Sequence, residues 1–226
     1  MNSRGDVLSH HQMCAIEGKM LQQGMNFRSS ESHSVVLMSR RPNAPYPDRF
    51  SVDGRSLHYI GHDAYGVPNK TEIDQPLVTN HQTLTPNGKF FKAVADANSG
   101  APQERVRVYE KLKPGVWVFN GTFRLTEAHL VSAGGRLVCE FTLVLDDESE
   151  APLQVAQSLS PGRLIPTEVK LLVWKRDGGR CVQCGTSENL HFDHILPFSL
   201  GGTSVNADNI QLLCQKHNLE KSARII

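Results

Sequence analysis

The stretch RCVQCGTSENLHFDHILPFSLGGTSVNADNIQLLCQKHN, from Arg180 to Asn218, constrains this chain more than any other. Cys181 and Cys184 flank two residues, as do Cys214 and His217, and about thirty residues separate the two pairs. Thiolates so spaced grip one Zn²⁺ from a tight knuckle, and four N/S ligands close a structural site. A unit of this size has too small a core to stand without such a staple. Cys181, Cys184, Cys214 and His217 are therefore expected to hold zinc.

Zinc leaves the intervening segment unexplained. LHFDHILP reads as a short strand ending in Asp193 and His194, followed by an SLGG turn. ADNIQLLCQKHNLEKS reads as a helix carrying Asn209, Asn218 and Lys221. Histidine titrates near neutrality and so suits a general base. A carboxylate with an amide oxygen suits a hard ion such as Mg²⁺ or Mn²⁺, while zinc prefers the softer thiolates. An Asp-His pair alone is more often a capped strand end; beside zinc knuckles it points to a site.

Upstream, residues 6–23 show a loose apolar face and read as a helix stopped by Gly24. SVVLMS and RSLHYIG read as strands, and DQPLVTNHQTL as a short helix ended by TPNG. ERVRVYEKL, GVWVFNGTFRLTEAHL and GRLVCEFTLVL are β-rich runs separated by KPG and SAGG turns. Residues 147–165, acidic and then Ser- and Pro-punctuated, read as a linker. TEVKLLVWKRDG reads as a helix with Thr167 as its cap.

Composition sets the outer limits. At 226 residues the chain suits one large domain or two modest ones, and 39% hydrophobic with 21% charged residues is ordinary for a globular protein. No apolar run is long enough to span a membrane. The first residues lack the basic-then-apolar order of a signal peptide, so a cytoplasmic location is expected. Cys14 and Cys139 are expected as buried small hydrophobes rather than a disulfide framework. Net charge is +1, and from Pro161 onward 8 Lys and Arg face 6 Asp and Glu. Nucleic-acid contact would thus need a local patch. Arg40, Arg41 and Arg49 are candidates for phosphate contacts.

KRDGGRCVQCG, FDHILP, LGG and DNIQLLCQKHN, in that order, resemble the zinc-stapled HNH, or ββα-metal, endonucleases. The resemblance implies His194 as general base, Asp193 and Asn218 as ligands of a catalytic Mg²⁺ or Mn²⁺, and Asn209 as the residue that holds the loop and orients His194. Lys221 is a candidate for phosphate contact. His217 stands where the family usually has Cys, and Asn218 where many members have His.

LHYIGH, DQPLVTNHQTL and VRVYEKL…GVWVFNGTFRL resemble an SRA-like domain, a PUA-like curved β-barrel that flips a modified cytosine into a pocket. By that resemblance Tyr46, Asp48 and Tyr59 form the pocket, although the Tyr-x-x-Asp spacing departs by one residue and Asp53 is a rival for Asp48. Trp117 and Phe119 are expected in the core.

The fold class expected is α+β: an SRA-like domain over residues 1–146, a linker over 147–165 and an HNH domain over 166–226. The function implied is that of a bacterial modification-dependent restriction endonuclease. It would recognise 5-methylcytosine or a relative in double-stranded DNA and hydrolyse the backbone nearby. Because one ββα site cuts one strand, a homodimer is an expected route to double-strand cleavage. Rival readings are an HNH nuclease that reads sequence or another modification, and a non-catalytic reader of modified DNA.

Overall fold

The computed structural model describes residues 3–40, 46–51, 53–146 and 164–222. Most of the expected linker, together with Arg41, falls outside the described residues.

Among the described residues, ten strands and four α-helices form two packed units. The first contains β1 (Val7–Leu8), α1 (His10–Glu17), β2 (Met25–Asn26), β3 (Ser34–Met38), β4 (Arg49–Phe50), β5 (Ser56–Ile60), α2 (Pro86–Asn98), β6 (Arg105–Lys113), β7 (Val116–Ala133) and β8 (Arg136–Leu145). Its sheet runs β2-β3-β6-β7-β8-β5-β4, with β1 added on β7. Among the described residues these pairings form an open path, with β3 parallel to β6 and the other pairs antiparallel. Register shifts after Val108 in β6 and Leu125 in β7 mark bulges, which bend strands and increase twist. The core beneath is Val106, Val108, Phe123, Leu125 and Phe141, with Phe90 of α2 packed edge-on to Phe141.

The second unit comprises α3 (Thr167–Arg176), β9 (Leu190–His194), β10 (Ile210–Cys214) and α4 (Gln215–Lys221). β9 and β10 pair antiparallel, and α4 packs on both.

Four sequence expectations give way to tertiary structure. Residues 6–23 are not one helix. Ser9 and Gln12 form a capping box that starts α1 at His10, and Gly18, at φ 62°, ends it. Val7 and Leu8 pair instead with Val118 and Trp117. DQPLVTNHQTL is irregular, closed by a Val78–Leu84 bridge, and TPNG begins a helix rather than ending one. Thr85 caps Gly88 N–H, and Pro86 occupies the first turn, where its missing donor costs nothing.

Thr167 is not the cap of α3; Pro166 holds that position, and the Thr167 hydroxyl donates to Glu110 across the unit boundary. Finally, ADNIQLLCQKHNLEKS is not a single helix. Ala207–Asn209 make a 3-10 turn, and Ile210, Leu212 and Leu213 are buried in β10 before α4 begins. Pairing with β9 outweighs the local helical pattern.

The two units share a core. Leu112 and Val118 of the large sheet lie in one cluster with Ile165, Val169, Val173, Leu190, Phe192 and Ile210. The N-terminal segment threads between them: Gly5 N–H donates to Phe119 O at 2.9 Å, and Phe192 N–H donates to Gly5 O at 3.1 Å. Asp6 pairs with His191 Nδ1 at 2.7 Å.

Candidate functional site

The two Cys/His knuckles converge. Gly185 N–H donates to Cys181 O at 2.8 Å, closing the first turn, while Cys214 ends β10 and leads directly into α4, which carries His217. The four ligand atoms of Cys181, Cys184, Cys214 and His217 lie within 4.8 Å of one another. The Cys184–Cys214 Sγ separation is 3.9 Å, and His217 Nδ1 lies 3.3 Å and 3.4 Å from the sulfurs of Cys181 and Cys214. A tetrahedral zinc centre has edges of about 3.8 Å between sulfurs and about 3.6 Å from sulfur to nitrogen. The donor set and its spacing therefore fit zinc. Burial pushes the Cys181 thiol up, but backbone N–H groups and the His217 ring outweigh it and bring it down to about 6. A low thiol pKa favours the thiolate that binds metal.

Asp193 and His194 end β9 and line a cleft of about 210 Å³ between the units, with Arg4, Asn120 and Lys170 on its other walls. His194 Nε2 lies 2.9 Å from the hydroxyl of Ser204, which is fully buried, and the imidazole meets Phe198 edge-on. Asn209 pins the loop that follows. Its Oδ1 accepts from Leu196 N–H at 2.8 Å, and its Nδ2 donates to Leu196 O and Thr203 O. Gly202 packs so closely on the Leu196 carbonyl that a side chain there would collide with it.

Lys221, expected as a candidate for phosphate contact, is 1% exposed. Its Nζ donates to His194 O at 2.6 Å and lies 2.9 Å from Asp193 Oδ2. That oxygen makes no hydrogen bond of good geometry, so the second contact is electrostatic. Asn218 precedes Lys221 by one helical turn on α4, hence on a neighbouring face. Lys221 thus contacts both Asp193 and His194, and Asn209 fixes the loop after β9. Ser204 was not singled out from sequence; only the fold brings a serine past the Gly-Gly turn back to His194.

A second cavity, of about 560 Å³, lies on the large sheet and is lined by Tyr46, Asp48 and Tyr59 together. Asp48 is 8% exposed and accepts from Ile60 N–H at 2.9 Å. Burial is the dominant influence on its carboxyl and, against hydrogen bonds from Ile60 and Ser39, raises it to about 7. Asp53, the rival, sits in an exposed turn where Ser51 hydroxyl and Arg55 N–H bind it, away from this cavity. Tyr46 stacks on His62 and donates to Asp63 Oδ2 at 3.1 Å. Asp63 is held in turn by Arg136 at 2.7 Å. Gly24 comes so near that a Cβ there would lie 2.6 Å from the Tyr59 hydroxyl.

The remaining expectations divide. Cys14 and Cys139 are buried, and burial pushes the Cys139 thiol up to about 12. Trp117 and Phe119 are in the core, although Trp117 also reaches the second cavity. Arg40 and Arg49 pair with Glu168 and Glu140 at 3.0 Å and 2.9 Å. Among the described residues, no helix is long and apolar enough to cross a membrane.

Residues 181–224 match the HNH endonuclease family model. Among solved structures, the SUVH5 SRA complex with methylated CHH DNA is similar at 17% identity and a TM-score of 0.47, covering 69% of this chain and 94% of that one. A modification-dependent TagI restriction endonuclease is similar at 19% identity and a TM-score of 0.42, covering 97% of this chain and 77% of that one. No curated protein matches the chain.

Proposed function

We propose that this chain is a modification-dependent DNA endonuclease, with a nuclease unit over residues 166–226 and a base-reading unit over residues 1–146. The observation that carries the nuclease reading is the Asp193–His194–Lys221 cluster on a zinc-stapled β-hairpin and helix, within the segment that matches the HNH endonuclease family model.

In this reading His194 accepts the proton of the attacking water. Ser204 holds the ring through Nε2, and Asn209 keeps the loop from carrying His194 away. Lys221 pairs with Asp193 and ties the end of β9 to α4. Asp193 and Asn218 offer hard oxygen donors of the kind that would hold a divalent cation. Such a cation, Mg²⁺ or Mn²⁺, would offset charge on the scissile phosphate. Zinc remains in the thiolate site as a structural staple.

The base-reading unit rests on the sequence pattern and on the cavity lined by Tyr46, Asp48 and Tyr59. In this reading the cavity on the large sheet receives a cytosine extruded from the duplex. Tyrosine faces stack on the ring, and the Asp48 carboxyl meets its Watson–Crick edge. The ligand is 5-methylcytosine or a related modified cytosine in double-stranded DNA, and two protomers would supply cuts in both strands.

The test of the nuclease assignment is His194→Ala. The variant is expected to fold, to retain zinc and to bind modified duplex as the parent does, while cleavage falls by a factor of about 100 or more. Undiminished cleavage would remove His194 from the mechanism.

A further inference from the structure

The cleft that carries Asp193 and His194 is walled in part by the segment before β1, far from the nuclease unit in sequence. Ser3 to Asp6 form a turn. Asp6 N–H donates to Ser3 O at 3.1 Å, Ser3 N–H donates to Asp6 Oδ2 at 2.7 Å, and Gly5, at φ 98°, takes the third position. Arg4 holds the second position and lines the cleft.

The turn is clamped to both units. Gly5 bonds to Phe119 of β7 through its N–H and to Phe192 of β9 through its carbonyl, and Asp6 pairs with His191. A Cβ on Gly5 would lie 2.8 Å from Phe192 O, so the turn sits directly against β9, one residue before Asp193. On the sheet side Gly121, at φ 109°, leaves the room that Arg4 uses: a Cβ there would stand 3.1 Å from Arg4 Nε. Backbone and side chain of Arg4 are therefore both placed by packing.

A phosphate that approaches His194 in this cleft also approaches the Asp193 carboxylate, and a fixed cation beside it offsets that repulsion. Two other cationic side chains line the cleft, but Lys170 is buried against Glu110 and His191 is bound to Asp6. A guanidinium carries five N–H donors in a planar fork, enough to serve a protein neighbour and two phosphate oxygens at once. At about 210 Å³ the cleft is smaller than pockets that enclose whole small-molecule ligands, and suits a single backbone phosphate.

We propose that Arg4 binds the non-bridging oxygens of the scissile phosphate. The inference rests on the nuclease assignment and adds to it a residue outside the segment 181–224 that matches the family model. The cutting site is then shared by the two parts of the chain.

The experiment compares the whole chain with its Arg4→Gln and Arg4→Lys variants. Three quantities are measured: urea unfolding, metal-free binding of a 5-methylcytosine duplex across a salt titration, and single-turnover cleavage of that duplex with Mg²⁺. Arg4→Gln is expected to unfold as the parent does, to lower the slope of log binding against log salt by about 1, and to cleave about 100-fold more slowly. Arg4→Lys keeps the charge and loses the fork, so the parent's salt slope and a cleavage rate about tenfold below the parent are expected. Cleavage by Arg4→Gln at the parent's rate would overturn the inference. So would slow cleavage with an unchanged salt slope, which would make Arg4 a strut between the units. Should Arg4→Gln not fold, Arg4→Lys decides: the slower rate at parental slope and stability supports the inference, and the parental rate overturns it. His194→Ala is measured alongside. Its cutting at the parent's rate, or no cutting by the parent, would remove the nuclease assignment and the inference with it.

Discussion

Lys170 Nζ lies 2.7 Å from Glu110 Oε2, with both side chains at most 2% exposed, and so joins α3 of the nuclease unit to β6 of the large sheet. Asn120 bonds to both groups, and Thr167 completes the cluster. Burial alone would raise the Glu110 carboxyl, but Lys170 and the hydrogen bonds more than offset it and hold it below the usual range. A charge buried at a boundary must be paired, so the cluster fixes one mutual arrangement of the two units.

Removing one partner should therefore cost far more than removing both. Lys170→Met is expected to destabilise the protein by about 3–5 kcal/mol in urea unfolding, because Glu110 is left buried and unpaired. A Glu110→Leu/Lys170→Met double variant is expected to recover part of that loss. An effect of Lys170→Met under about 1 kcal/mol would mean that water reaches the cluster.

The burial of Lys221 separates two roles that the sequence left open. If its ammonium met a DNA phosphate, Lys221→Met would lower the slope of log binding against log salt by about 1. The Asp193 and His194 contacts predict an unchanged slope and a cleavage rate reduced by about tenfold or more. A salt titration of binding beside single-turnover cleavage distinguishes the outcomes.

Asp48 should impose a pH dependence on stability. Its folded pKa, about 7, lies above the ordinary value of 3.8. Between those values the folded state retains a proton that the unfolded chain has lost, so this group's contribution is fully present below the ordinary value, declines as pH rises, and is gone above the folded value. The full span corresponds to about 4 kcal/mol. Asp48→Asn lacks this term, so its stability relative to the parent should increase from pH 4 to pH 8. Parallel denaturation curves at the two pH values measure it, and a constant difference would place Asp48 in contact with water.

What the sequence made legible was what short-range chemistry dictates. The paired knuckles, the Asp-His strand end and the long β6–β8 runs each carry their signal within a few residues. The errors arose where a distant partner decided. Val7 and Leu8 fit a helix face until β7 offers them a pairing edge, and Ile210 to Cys214 do the same until β9 does. TPNG was misread locally, since proline opens a helix as readily as glycine closes one. At the site, Tyr46, Asp48 and Tyr59 were visible as types in a pattern, and the fold brought them to one cavity. Ser204 and the inner orientation of Lys221 were not legible, because neither residue carries a local mark of what it will meet. Glu110, a carboxylate on the face of β6 that otherwise carries Val106, Val108 and Leu112, was the available hint of the boundary cluster.

The most direct test of the central claim is cleavage, with Mg²⁺ or Mn²⁺, of matched duplexes whose cytosine is unmodified, 5-methyl or 5-hydroxymethyl. Cutting confined to the modified duplexes is expected. Equal cutting of all three would contradict it: the nuclease would stand and modification dependence would fall.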